Sequence, residues 1–385
     1  MPMSSHHPII IPEINDKHAI CDYLSQTASI LAQKSYPTYI FYINETPRIG
    51  HNLKKISSHL FSFSPFKIIP FNRFKTAQNI NIHLSLNLLY LLCFLRYFSR
   101  PVYWLFYPQT SSLIKHSLPS YLSIYDIVDF YTSPNPKINQ KLQIQKKYFL
   151  EKSNLITAIS ATLVTNYQKI YPSVKIHLVP QGFSLITSSF NKNNQQQLLK
   201  IKKISPKIGF IGAINNRLDF NLLFKLIKIT PKINYIFIGP IDNDINVSSK
   251  PIKKLAQKLF SFPNVIYLGS LPKNKLSQYL DLFDIAIIPY DIKDNFNRFC
   301  YPMKLFEYFA AGKPVISTSI EELKHFPGLV FISNNPLFWQ QKINEILSQP
   351  WPKNLQKKQQ ALARQNSWIN KINQILALAQ KIKVL

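Results

Sequence analysis

The sequence predicts an α/β protein made of two doubly wound domains, each a mostly parallel sheet covered by helices. Three observations carry this. Short apolar runs alternate with helical patterns along nearly the whole chain. Most of these runs lack the in-and-out alternation of a half-solvated strand, as expected where helices cover both faces. The length, 385 residues, suits two domains at roughly 150 residues each.

The first series of strand candidates is 9–11, 39–43, 67–69, 102–107, 124–129, 155–159 and 176–180. A polar stretch without periodicity, 191–197, follows and reads as a surface loop near a domain junction. The second series is 207–211, 235–238, 265–268, 285–289, 314–317 and 329–332. Helices are expected between them at 219–229, burying Phe220, Leu223, Phe224 and Ile227, at 273–283, and at 304–311, where Gly312 suits a C-cap. The last stretch puts Trp368, Ile369, Ile372, Ile375, Leu376, Ala379 and Ile382 on one helical face. It is expected to pack back on a domain rather than lie on a membrane. The boundaries drawn are 1–183, 184–350 and a helical segment 351–385. The most apolar run, 84–95, spans about 12 residues and ends at Arg96 and Arg100. A bilayer needs about 20, so a core helix is expected.

Composition narrows the classes. Hydrophobic residues make up 46% of the chain, which excludes a disordered protein. Lys+Arg 46 against Asp+Glu 18 give a net charge of +28, shared by both halves. Nucleic acid, an anionic membrane surface or an anionic small ligand would each suit that field. Three cysteines, Cys21, Cys93 and Cys300, form no disulfide framework and point to a reducing compartment. The first residues show no secretory pattern, so a cytoplasmic location is expected. No His pairs with Cys at zinc-like spacing; His6 and His7 read as tail, and His177 lies in a strand.

The chain has only eight glycines, and seven fall between Gly182 and Gly328. Gly209 and Gly212 flank the end of a strand that leads into a helix, a turn able to bring backbone N–H groups to a phosphate. Arg217 stands beside it, and Arg suits phosphate. On these residues alone an ordinary tight turn with a solvated Arg217 is the better reading. Further on, Gly239-Pro240 and Pro289-Tyr290 each end a strand, and a helix carries Lys304 and Glu307 three residues apart. In an open parallel sheet these turns share the carboxyl edge, where ligands bind. There Lys304 could neutralise a diphosphate and Glu307 could hold ribose hydroxyls; an exposed Lys–Glu pair explains the spacing equally well.

Residues 207–318 resemble the nucleotide-binding half of GT-B glycosyltransferases of the glycosyl transferase group 1 type. The stretches IGFIGAINNRLDFNLL, YIFIGPI, NVIYLGSLPKNKLSQYLDLFDIAIIPY and, most specifically, YPMKLFEYFAAGKPVIST carry the resemblance. Upstream, IYDIVDF, EKSNLITAISATLVTNY and HLVPQGF are similar to the late part of the family's acceptor domain. The resemblance implies a GT-B fold, two Rossmann-like domains facing a cleft. It also implies a nucleoside-diphosphate sugar held by Gly212, Arg217, Gly239, Pro240, Pro289, Tyr290, Pro302, Lys304, Leu305 and Glu307. It implies transfer to a glycan or lipid-linked acceptor, with no metal or other cofactor and no nucleic acid partner. The basic surface and the apolar 84–95 region add an expected anionic membrane surface, at the inner face of the cell membrane. Leaving-group charge would fall to Arg217, Lys304 and a helix N-terminus. Many members carry two glutamates eight positions apart; Glu307 matches the second, and Phe299 stands in place of the first. This pattern is closer to a sub-branch similar to teichuronic-acid and xanthan-type transferases. The glycine-rich acceptor loop common near the N-terminus of the family is replaced by NDKHAICDYLSQTASILAQK. A sugar-nucleotide epimerase of the same fold, or a non-catalytic basic protein binding membrane or nucleic acid, are the rival classes.

Two further groups of carboxylates stand out in the sequence. Asp242-Asn-Asp244 spells an acid-x-acid metal signature, but a turn after Gly239-Pro240 is its default reading. Asp129 ends the fifth candidate strand and would face the cleft, where a carboxylate could accept the proton of an attacking hydroxyl. Capping of the next segment explains Asp129 as well. Asp126 is its neighbour, and Glu151 either matches a family position or lies on a helix surface.

Overall fold

The computed structural model describes residues 7–14, 22–47, 49–50, 52–70, 73–133, 135–184, 195–241 and 249–384. The chain forms two compact units. One is Met1–Gly182 together with Trp368–Leu385, and the other is Phe183–Ser367.

The first unit holds an eight-stranded sheet: β1 (Ile9–Glu13), β2 (Thr38–Tyr42), β3 (Leu53–Lys55), β4 (Leu60–Phe63), β5 (Val102–Leu105), β6 (Leu122–Ile127), β7 (Leu155–Ala158) and β8 (His177–Leu178). Its order is β3-β4-β2-β1-β5-β6-β7-β8. Only β3 runs antiparallel, paired with β4. Every residue of β1, β2, β5 and β7 is buried, which is why these strands read as unbroken apolar runs. Strand order reverses between β1 and β5, so the loops after them open a crevice at the carboxyl edge. Helices α1 (Asp22–Gln33), α2 (Lys75–Tyr97), α3 (Ser111–Lys115), α4 (Pro136–Lys152) and α5 (Ala161–Ile170) connect the strands.

The second unit is a six-stranded parallel sheet of β9 (Lys207–Ile211), β10 (Asn234–Ile238), β11 (Val265–Tyr267), β12 (Ile285–Ile288), β13 (Val315–Ser317) and β14 (Val330–Ile332). Its order is β11-β10-β9-β12-β13-β14, with the reversal between β9 and β12. Its helices are α6 (Gln195–Lys203), α7 (Phe220–Ile229), α8 (Ser249–Phe260), α9 (Lys273–Leu280), α10 (Asn295–Arg298), α11 (Lys304–Ala310), α12 (Pro336–Leu347) and α13 (Lys353–Gln365). Asp219 caps α7 by accepting from the Leu222 N–H at 2.9 Å, satisfying a donor the helix leaves open.

Several expectations need correction. Residues 67–69 form no strand, because the Asn81 side chain accepts from the Ile68 and Ile69 N–H groups and donates to the Ile69 carbonyl. The hairpin β3–β4 takes the edge instead. The run 84–95 is not a wholly buried helix: it lies in the 23-residue α2, one face of which is exposed at Ile80, Leu84, Leu91 and Leu95. By length and composition α2 could cross a membrane. The polar stretch 191–197 is partly helical, since α6 starts at Gln195; residues 191–194 lie outside the described residues. His7 is no loose tail, as it stacks on Tyr121 with ring centres 3.7 Å apart; His6 is outside the described residues.

The stretch 351–385 is divided between the units. Helix α13 stays with the second unit, where Gln359 donates to the Lys313 carbonyl at 2.8 Å. Helix α14 (Trp368–Val384) belongs to the first. It buries Trp368, Ile372, Ile375, Leu376 and Ala379 and packs beside α1 and β7. Lys371, on the same buried side, sits 2.9 Å from Asp126 of β6, and both side chains are almost wholly excluded from solvent.

Candidate functional site

In the second unit the loops after β9, β10 and β12 are stitched together by their backbones. The Ile214 N–H donates to the Pro240 carbonyl at 2.8 Å, Asp219 N–H to Pro289 at 2.8 Å, and Asp291 N–H to Arg217 at 2.8 Å. Gly212 and Gly239 meet at this seam. A methyl on Gly239 would run into the Gly212 carbonyl oxygen, and one on Gly212 would lie 2.5 Å from the Lys304 ammonium. Both glycines also have positive φ, 148° and 146°, which disfavours any side chain.

Helix α11 supplies Lys304 at its start. Its Nζ lies 4.2 Å from the centre of the Phe210 ring and 4.7 Å from that of Tyr290, so two aromatic faces hold the ammonium at the mouth of the β9 loop. Arg217 lies over the same Tyr290 ring at 4.4 Å and over Phe296 at 4.9 Å. Its Nε donates to the buried Asn297 Oδ1 at 2.8 Å. Asn297 also donates to the Asp291 carbonyl at 2.9 Å, so the guanidinium is fixed through a side chain that the loop itself holds. Glu307, half-buried, follows Lys304 by one turn.

The orientation of α11 is set from beneath. The wholly buried Tyr308 hydroxyl accepts from the Ile211 N–H at 3.1 Å and donates to the Ile287 carbonyl at 3.3 Å. It bridges β9 and β12 at the reversal point, and burial pushes its phenol well above the usual range. Leu305 is fully buried and Pro302 is buried, so their side chains anchor the helix. The result is a sheet edge where two cations sit against aromatic rings, suited to a diphosphate. Lys304, Arg217, Tyr290, Gly212, Gly239, Pro240 and Pro289 converge here, with Glu307 on the adjoining turn. Sequence reasoning missed Phe210, Asn297 and Tyr308, whose roles depend on contacts across the sheet. Gly209 is explained by packing, since a methyl there would strike the Phe283 ring.

Asp129 belongs to the other unit, in the bend just past β6, and is half-buried. Burial first, then the Asp129 carboxylate, pushes the Tyr131 phenol well above its usual range. The segment is held by Lys146 of α4, which donates to the Tyr131 carbonyl at 3.1 Å. Burial draws the Lys146 ammonium down to about 8. Asp126 has a structural role: besides Lys371 it accepts from the Thr157 hydroxyl at 2.8 Å, so it is no neutral neighbour of Asp129. Glu151 lies exposed on α4, 3.7 Å from Lys147. Residues 242–244 are outside the described residues. Among the described residues no three metal-ligating side chains cluster.

Two mostly parallel, Rossmann-like sheets, one in each unit, give the GT-B fold. The architecture matches sucrose-phosphate synthase from Thermosynechococcus elongatus at TM-score 0.76 and 15% identity, over 98% of this chain and 99% of that one. It matches an E. coli trehalose-6-phosphate protein bound with UDP-2-fluoro glucose at 0.68 and 12%, over 97% and 99%. It also matches HepE of Anabaena in complex with UDP and glucose at 0.66 and 12%, over 98% and 100%. Residues 191–366 match the family Glycosyl transferases group 1. A Bacillus subtilis (strain 168) protein named as a teichuronic acid biosynthesis glycosyltransferase, TuaH, is 28% identical over 207 residues, 51% of this chain and 50% of that protein. The match thus spans about half the length of that relative.

Proposed function

We propose that the protein transfers a sugar from a nucleoside-diphosphate sugar to a hydroxyl of a glycan or lipid-linked acceptor. The observation that carries this is the seam of Gly212 and Gly239 under Lys304 and Arg217, on the β9–β12 crevice of a group 1 glycosyl transferase unit. In this reading Lys304 and Arg217 neutralise the diphosphate as the glycosidic bond breaks, fixed charges that need no reorganisation at that moment. Glu307 takes the donor's hydroxyls. We propose that no divalent metal is needed, since these two cations already face the leaving group. Asp129 is the proposed acceptor of the attacking hydroxyl's proton. Structural neighbours are described with UDP, which makes UDP the first nucleotide to try.

The test is a thermal-shift series with UDP, GDP and dTDP, followed by mass spectrometry of products from the matching nucleotide sugar. Binding to the native state raises apparent stability. Stabilisation by one diphosphate and sugar transfer in EDTA support the proposal. Isomerisation of the sugar nucleotide without transfer would favour an epimerase, and no response to any nucleotide would sink both.

We also propose that α2 rests on an anionic membrane. Ile80, Leu84, Leu91, Leu95 and Phe98 form an exposed apolar stripe, Phe98 being 88% exposed. Arg96 and Arg100 border it, on a chain of net charge +28. Apolar insertion with basic anchoring is the pattern of an interfacial helix.

A further inference from the structure

We propose that a cavity in the first unit is the acceptor subsite and that it takes a phosphate or diphosphate carried by the acceptor, an assignment resting on the glycosyl-transfer function proposed above. The cavity measures about 540 Å³, within the range of small-molecule sites. It sits on the carboxyl edge of the sheet. Ile14 follows β1, Ile43 and Asn44 follow β2, and Gln109 and Thr110 come from the connection after β5. This is the reversal point of the strand order, where doubly wound sheets bind ligands. Asn44 donates to the Ile14 carbonyl and ties the first two loops together.

Its polar walls point to an anion. Lys75, Lys141, His83 and His116 line it, and no Asp or Glu does so among the described residues. The two acids nearest in sequence are engaged elsewhere: Glu45 accepts from the Ser64 hydroxyl at 2.6 Å, and the buried Glu13 accepts from Tyr107 at 3.5 Å. His83 adds an independent sign. Its Nδ1 is buried with no hydrogen-bond partner, a costly arrangement unless a ligand completes it. Its ring meets that of His116 edge-on at 5.8 Å, and an imidazole of either tautomer can donate one N–H to an anion beside the two ammonium groups. A neighbouring groove shares Ser112 and Lys141 and adds Lys115 and Lys137, so the cationic lining continues past the cavity.

Isothermal titration decides this, run with UDP in excess so that the donor crevice is occupied. The probes are inorganic pyrophosphate, glucose 6-phosphate, geranyl diphosphate and, as a carboxylate control, glucuronate. The variants are Lys75→Gln combined with Lys141→Gln, His116→Asn alone, and Lys304→Ala. All three replaced groups of the cavity are exposed, so the fold should stand; His116→Asn carries the test if the double variant unfolds. A tenfold or greater loss of pyrophosphate affinity in the cavity variants, with no change in Lys304→Ala, supports the assignment. Tighter binding of glucose 6-phosphate then marks a free sugar phosphate, and tighter binding of geranyl diphosphate marks a prenyl carrier. Equal affinity in all variants, binding lost only with Lys304, no phosphate binding, or preference for glucuronate overturns it. UDP binding is read separately, so failure of the donor assignment is distinguishable from failure of this one.

Discussion

Lys304 is held by two aromatic rings and a glycine that leaves room for nothing else, so its charge is aimed before any ligand arrives. Removing it deletes one charged contact, worth about 1.5–3 kcal/mol. Lys304→Ala and Glu307→Ala are each expected to weaken nucleotide-sugar binding by that amount, about 10- to 150-fold, while leaving the unfolding midpoint in place. Unchanged affinity in both would remove the site. Asp129→Asn is expected to lower kcat by about 10²–10⁴ and leave donor affinity alone, because the donor residues belong to the other unit. Near-normal turnover, or loss of fold, would make Asp129 structural. Asp126→Asn should behave oppositely. It halves a buried ion pair and leaves Lys371 uncompensated, a change that costs about 3–5 kcal/mol. Urea unfolding of the variant checks this, and a midpoint like the wild type's would contradict it.

Among the elements, those with one-sided local signals were legible in the sequence. The central strands show as apolar runs because helices bury them on both faces, and α7 shows its cap and periodicity. Three features were hidden for physical reasons. The β3 strand is a Leu-Lys-Lys edge with every residue exposed, so it carries no burial pattern. The first turns of α2 are polar, KTAQNIN, which concealed a helix nearly twice as long as its apolar run. The segment 67–69 has strand composition, yet Asn81 satisfies its backbone. In the donor crevice, Gly212, Lys304 and Glu307 could be read from type and spacing. Asn297 and Tyr308 could not, since their partners lie 80 and 97 residues away. The exposed side of α2 supports a direct test. Wild-type protein is expected to bind vesicles rich in anionic lipid at low salt, less so at high salt because surface attraction is screened. Leu91→Glu with Leu95→Glu should cut sedimentation with vesicles about tenfold, each lost apolar contact being worth up to about 1.5–3 kcal/mol. Equal binding of the variant would show that α2 is not the contact.

For the whole molecule, chain order and spatial order disagree. The first unit is left at Gly182 and rejoined only at Trp368. Gly182 has no room for a side chain beside the Trp368 ring, so the chain leaves and re-enters this unit at one point. A fragment ending at residue 182 lacks α14 and therefore the partner of Asp126. It is expected to be digested rapidly by protease and to become resistant when a peptide of residues 368–385 is added. Resistance of the fragment alone would mean that α14 is dispensable.

That return of the chain has a consequence for how the protein is made. Asp126 and its partner are separated by 245 residues. At translation rates of about 5–20 residues per second, Asp126 has been synthesised for roughly 12–50 s before Lys371 is added to the chain. Throughout that interval Asp126 has no Lys371 to pair with, and the apolar strip that α14 will bury stays uncovered. The second unit, continuous in sequence, can close first although it is made last. Chains truncated at residue 367 and released from the ribosome should therefore carry a protected C-terminal unit and an open N-terminal one, an inversion of the order in which the two were synthesised.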